Sequence, residues 1–272
     1  MYSVIQDNIM SSNIDDQTKK KLLNDVLGLK NNKVNVMITG ATGCGKSSTI
    51  NALFKTDLAK IGVGVYPETM SIKKYKLGNL ILWDTPGLGD GKKQDIKHRR
   101  AIVKKLNKAD KKGNALIDLV LVILDGGSRD LGTSYELINE VIIPTIGKKA
   151  KDRVLIAINQ ADQAMKGRNW DLEKNKPKQK LIDFLEDKVE SVKKRVQEAT
   201  GINVEPIYYS SGYKEGDEEQ YPWNLSKLLC FIVENTPAKK RLAYVKSYPL
   251  KTKRWVNNDY EKIFKAWRNF RY

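Results

Sequence analysis

The chain has 272 residues, 40% of them hydrophobic, which is enough to bury one large core, yet no apolar run approaches the roughly 20 residues of a membrane-spanning helix. Two cysteines and one histidine leave no material for a disulfide framework or a zinc cluster. A net charge of +17, from 49 Lys and Arg against 32 Asp and Glu, would attract RNA or a ribosome, DNA, an anionic membrane or only a nucleotide. Lysine is scattered along the whole chain, so charge alone does not choose among these, and RNA or membrane is not the favoured expectation.

Residues 1–32 read as an N-terminal helical extension, with Leu22, Leu23, Val26 and Leu27 at helical spacing. The segment lacks a signal peptide's unbroken apolar stretch, and a cytoplasmic protein is expected. The first strand follows, with Val34, Val36, Met37 and Ile38, and then a helix with Ile50, Leu53 and Phe54 on one face. Between them, Gly40-Ala41-Thr42-Gly43-Cys44-Gly45-Lys46-Ser47 fits G-x-x-x-x-G-K-[ST], a loop whose backbone N–H groups wrap a phosphate. Glycines allow the close approach, and the helix N-terminus directs a positive dipole end at the anion. Lys46 supplies mobile positive charge, Ser47 a Mg²⁺ ligand, and Ser48 is a further nucleotide-binding position. With Cys44 inside the loop, a bulky thiol reagent is expected to block the site.

The stretch "SIKKYKLGNLILWDTPGLGDG" reads as a hairpin turning at Leu77-Gly78-Asn79, its second strand ending in Asp84-Thr85-Pro86-Gly87. Asp84 stands where a carboxylate would hold Mg²⁺ through water, and Gly87 can aim its N–H at a γ-phosphate. His98, in "DIKHRR", reads as an exposed polar residue. Further strands are expected at Ile117–Leu124, Val154–Ile158 and Pro206–Tyr209. The last two end in Asn159-Gln160-Ala161-Asp162 and Ser210-Ser211-Gly212, which should face a base. A carboxylate such as Asp162 accepts from guanine N1–H and N2–H₂ together, a donor pair adenine lacks, so GTP or GDP is the expected nucleotide. The whole is an α/β arrangement: a P-loop NTPase G domain over residues 33–237, with a mostly parallel six-stranded sheet covered by helices on both faces and one antiparallel member near Ile72–Lys76. The nucleotide should lie at the carboxyl ends of the strands. Residues 238–272 form a basic, aromatic extension in which Ile263, Phe264 and Trp267 share a helical stripe.

From Lys33 to Pro237 the chain resembles the Era-like GTPases of the TRAFAC class. The wording of "GATGCGKSSTINALF", "WDTPGLGD", "LVLVILDGGSRDLGTSYE" and "NQAD" is similar to prophage-type bacterial GTP-binding proteins of the YeeP and YfjP kind. The resemblance implies GTP/GDP and Mg²⁺ as cofactors, Asp162 on the base, Asn159 bracing the loops, and a Ser211 backbone N–H on the guanine oxygen. Gln160 stands in place of the lysine that lies over the base. A switch threonine that joins Mg²⁺ with the γ-phosphate is expected at Thr69, with Thr56 as its rival. Lys46, Thr69 and Gly87 then carry the catalysis. The family's water-orienting glutamine is replaced by Leu88, and the asparagine that holds potassium in some relatives is replaced by Gly43. Slow hydrolysis follows, unless a partner or a second copy supplies the missing group, for which Arg129 is a candidate. Two classes stay open: a nucleotide-dependent switch with an unknown effector, and a GTP-driven dimerising scaffold or assembly factor.

Overall fold

Every residue of Val34–Gly40 is buried, and the strand it forms, β1, is the middle of a sheet that positions everything else. The computed structural model describes residues 10, 15–17, 19–20, 32–54, 71–77, 79–89, 91–111, 113–215 and 218–240. The apolar positions of the expected N-terminal helix, Leu22, Leu23, Val26 and Leu27, lie outside the described residues, as do Thr56, Thr69 and the aromatic stripe near residue 264. The other strands of the sheet are β2 (Lys73–Leu77), β3 (Leu80–Asp84), β4 (Leu119–Asp125), β5 (Val154–Asn159) and β6 (Ile207–Tyr208). Their order is β2-β3-β1-β4-β5-β6. β1 runs parallel to both β3 and β4, β5 runs parallel to β4 and β6, and β2 alone is antiparallel, on β3. The expected six strands and the single antiparallel edge are therefore present.

The helices are α1 (Lys46–Phe54), α2 (Lys92–Leu106), α3 (Gly132–Glu136), α4 (Ile143–Ile146), α5 (Ala150–Arg153), α6 (Gln179–Thr200) and α7 (Leu225–Asn235). The central strands are apolar at consecutive positions because successive side chains point to opposite faces and both faces are covered. On one face Val36, Ile38, Leu121 and Ile123 meet Ile50 and Leu53 of α1 and Leu229 and Ile232 of α7. On the other, Met37, Val122 and Ile156 meet Ile102 of α2 and Leu185 and Val192 of α6. Between α3 and α4 the helix widens into a π turn, Leu137–Ile142. Pro144 follows at once, and a proline ring clashes with the carbonyl four residues back in a regular α-helix, which the wider turn relieves.

At the amino ends of the strands, Asn32 Nδ2 donates to Lys239 O at 2.9 Å and Lys240 Nζ meets Asp118 Oδ1 at 2.7 Å. Among the described residues no helix is long and apolar enough to cross a membrane. The other pole is tied by a buried pair. Thr49 of α1 donates its hydroxyl to Gly45 O at 2.8 Å, so the fully buried Tyr209 hydroxyl is the donor in its 2.6 Å contact with Thr49 Oγ1. That bond joins the helix behind the glycine loop to the end of β6. Tyr209→Phe should lower the unfolding free energy by about 1 kcal/mol, and Leu121→Ala, which opens a hole at the sheet centre, by about 3 kcal/mol, both read from urea denaturation.

Candidate nucleotide site

Three loops leave the carboxyl ends of β1, β5 and β6 and are joined by one side chain. Asn159, fully buried at the end of β5, donates from Nδ2 to Cys44 O at 3.0 Å and to Ser211 Oγ at 3.2 Å, and its Oδ1 accepts the Ser211 N–H at 2.9 Å. A Cβ on Gly45, which has φ +83°, would collide with that amide, so glycine is required there on two counts. Gln160 takes a left-handed conformation, φ 58°, and donates from Nε2 to Gly43 O at 3.0 Å. The second loop thus holds the first from two adjacent positions. The Ser211 N–H, which the resemblance assigns to a guanine oxygen, is engaged with Asn159 in this structure.

Lys46 begins α1 with its side chain folded back, Nζ donating to Ala41 O at 2.8 Å and to Gly40 O at 3.3 Å. Ser47 Oγ lies 3.4 Å from Asp84 Oδ2, which brings two hard oxygen donors from different elements together beside the helix N-terminus. Ser48 is half-buried one position on, and Thr42 and Gly43 form the exposed rim of the loop. Among the described residues no group of three or more His, Cys, Asp or Glu side chains is placed to hold a metal alone.

Asp162 sits buried beside the Ser210-Ser211-Gly212 loop. Its Oδ1 accepts from Ser210 Oγ at 2.5 Å and its Oδ2 from Gln163 Nε2 at 2.7 Å. Each carboxylate oxygen keeps a second lone pair for an external donor. Ser210 Oγ also accepts the Gly212 N–H at 3.3 Å, which ties the third loop to the same carboxylate.

After β3 the chain is pressed onto the glycine loop. Thr42 N–H donates to Leu88 O at 2.8 Å and Leu88 N–H to Gly40 O at 3.4 Å, while a Cβ on Gly87 would lie 2.6 Å from Thr42 Cα. The Leu88 side chain is buried in the core with Met37 and Ile102, so it cannot touch a water at a phosphate. Arg129 is exposed on the loop after β4. That loop is pinned: Asp125 Oδ1 accepts from Gly127 N–H at 2.7 Å, and Lys188 Nζ donates to Asp125 O, Gly126 O and Ser128 O within 3.1 Å. Burial lowers the Lys188 ammonium's pKa while Asp125 opposes the shift. Nothing in the sequence marks Lys188, which is 60 residues from Ser128.

Two expectations are corrected. His98 is 3% exposed rather than an exposed polar residue, and its Nδ1 stands 3.1 Å from Gly87 O. The signal that would have found it is its spacing, four residues before Ile102 and eight before Leu106, the buried stripe of α2. Cys44 contributes backbone to the loop, but its thiol belongs to the apolar cluster under α1 and is not open to reagents from the site.

Residues 35–160 match the family described as 50S ribosome-binding GTPase. The chain is 29% identical over 149 residues to the "Uncharacterized protein YkfA" of Escherichia coli (strain K12), covering 53% of this chain and 47% of that protein. The chain spans about half the length of the curated relatives it matches, 47% in each case. Among solved structures, Era in complex with MgGDPNP and 16S ribosomal RNA aligns at TM-score 0.50 and 20% identity, covering 76% of this chain and 58% of that one. A dimerization-deficient mutant of Toc33 from Arabidopsis thaliana aligns at TM-score 0.50 and 18% identity, covering 88% and 96%. The fold is that of a P-loop GTPase G domain.

Burial raises the Cys44 pKa above the ordinary thiol value, with Lys46 opposing only in part, so little reactive thiolate forms. In a Cys230→Ser variant, native Cys44 should react with a disulfide reagent at least about 100-fold more slowly than in denaturant, followed by absorbance.

Proposed function

We propose that this P-loop GTPase domain binds GTP and GDP with Mg²⁺ and hydrolyses GTP slowly, acting as a nucleotide-dependent switch. The observation that carries the reading is the Asn159 joint, which brings the glycine loop, Asp162 and the Ser210-Ser211-Gly212 loop to one place. Gly40, Ala41, Thr42, Gly43, Cys44 and Gly45 form the loop that wraps the phosphates with backbone N–H groups, the Thr42 N–H excepted because Leu88 O holds it, and Lys46 leaves its two carbonyls for the β- and γ-phosphate oxygens. Asp162 accepts from the guanine N1–H and N2–H₂, and Gln160 and Gly212 flank the base. Ser47 and, through water, Asp84 fit a Mg²⁺ site, and Thr69 is the residue proposed to join it. Mg²⁺ would neutralise charge on the β- and γ-phosphates. Gly87 turns its N–H to the γ-phosphate. With Leu88 in the core, no side chain at that position orients water, which is why the rate is low.

A second reading is favoured by one observation: the pinned loop after β4 offers Arg129 to solvent with its backbone already ordered. In a nucleotide-dependent homodimer Arg129 would reach the other copy's phosphates. Dimerization in Toc33 makes this arrangement worth testing, as the 16S ribosomal RNA bound by Era does for an RNA partner. The N-terminal segment 1–32 is proposed to pack on the G domain, and the basic segment 238–272 to pack on a neighbour.

Calorimetry should give micromolar or tighter affinity for GTP and GDP, with ATP at least about 100-fold weaker because the wrong base leaves Asp162 unpaired. Lys46→Ala should abolish or greatly weaken binding, and Asp162→Asn should trade guanine for xanthine nucleotide; equal affinity for ATP would remove the base assignment. Turnover should be slow when dilute. If Arg129 acts in trans, the rate per molecule should rise steeply with protein concentration, toward the roughly 10³ to 10⁵ that such an arginine contributes, and Arg129→Ala should remove the rise. A rate that stays slow at every concentration would favour the switch with a separate activator.

A further inference from the structure

The α2 helix places its histidine directly beneath the segment that follows Asp84. His98, Ile102 and Leu106 are the buried residues of α2, four apart. A carbonyl only accepts hydrogen bonds, so the 3.1 Å contact with Gly87 O requires His98 Nδ1 to carry the proton and donate. That tautomer leaves Nε2 a buried acceptor with no protein partner among the described residues. On the opposite side, residues 87–88 are held by the glycine loop through Thr42 N–H to Leu88 O and Leu88 N–H to Gly40 O. The Gly87 peptide is therefore clamped from two sides, by backbone in front and imidazole behind.

We propose that His98 is a positioning residue of the nucleotide site: by holding Gly87 O it keeps the Gly87 N–H in place for a γ-phosphate, so that preference for GTP over GDP depends on it. The inference rests on the guanine-nucleotide reading above. Glycine has the freest backbone of any residue, and no side chain of its own limits the torsion that aims this N–H. Without His98 the segment keeps only the two backbone bonds at Leu88, so the γ-phosphate would have to complete its ordering as it binds, and that entropic cost would fall on GTP alone, since GDP has nothing at that place. The unpartnered Nε2 works the other way. Burying an acceptor without a donor costs free energy, which offsets part of what the bond to Gly87 O contributes.

The test compares two amides of similar polarity. His98→Asn puts its side-chain nitrogen near the place of Nδ1 and can still donate to Gly87 O, whereas His98→Gln reaches toward the place of Nε2 and cannot. Calorimetric affinities for Mg·GDP and for a non-hydrolysable GTP analogue are measured on the full chain, with thermal denaturation to confirm that each variant is folded. The Asn variant should keep the wild-type affinity ratio within about twofold, and the Gln variant should lose about tenfold in analogue affinity with GDP unchanged, as one hydrogen bond would give. Equal ratios in the two variants, or a parallel loss of GDP and analogue, would overturn the role of His98 alone. Failure of the wild-type chain to bind either nucleotide would overturn the site reading along with it.

Discussion

The Asn159 side-chain amide is the joint on which the site depends. It is fully buried, both its amide hydrogens and its oxygen are used, and the three bonds reach two loops that are 115 and 52 residues away in the chain. A buried amide that loses one partner leaves another polar group unpaired in a place water cannot reach, so the arrangement is nearly all or none. Asparagine alone among the side chains has this reach with two donors and an acceptor; an aspartate would set a carboxylate against the Cys44 carbonyl. Gly45 must then be glycine because the amide occupies the space of a Cβ.

The sheet makes that joint possible. Parallel strands place the carboxyl ends of β1, β4 and β5 at one edge, so the glycine loop, the loop that bears Arg129 and the loop that begins with Gln160 all start side by side. Core packing on both faces fixes the strand ends, and α1 and α6 each contribute a polar reach back to that edge: Thr49 to Tyr209, and Lys188 to the three carbonyls after β4. Loops with few apolar side chains of their own are held rigid in this way by groups from the packed layer beneath them.

Much of this was legible in the sequence because the signals were of kinds that local pattern carries. The apolar-rich stretch Val34–Ile38, interrupted only by Asn35, and the unbroken run Val154–Ile158 read as doubly covered strands, and the glycine pattern after the first of them fixed both the loop and the helix that follows. What escaped reading depends on long-range packing. His98 looked like part of a charged surface in "DIKHRR", although its register with Ile102 and Leu106 put it on the buried stripe. Cys44 was read from its position in the loop, but the direction of its thiol is decided by the core under α1. The π turn at Leu137–Ile142 has no propensity of its own and was written only in Pro144, and Lys188 has no local partner to announce it.

Three separate loops are proposed to form one guanine-nucleotide site. Amide hydrogen exchange of the full chain with Mg·GDP, compared with Mg·ADP and with no nucleotide, tests that claim most directly. GDP should protect residues 40–48, 159–163 and 210–212 together, and ADP should leave the last two segments unchanged. Protection confined to 40–48, or the same protection from ADP, would contradict it.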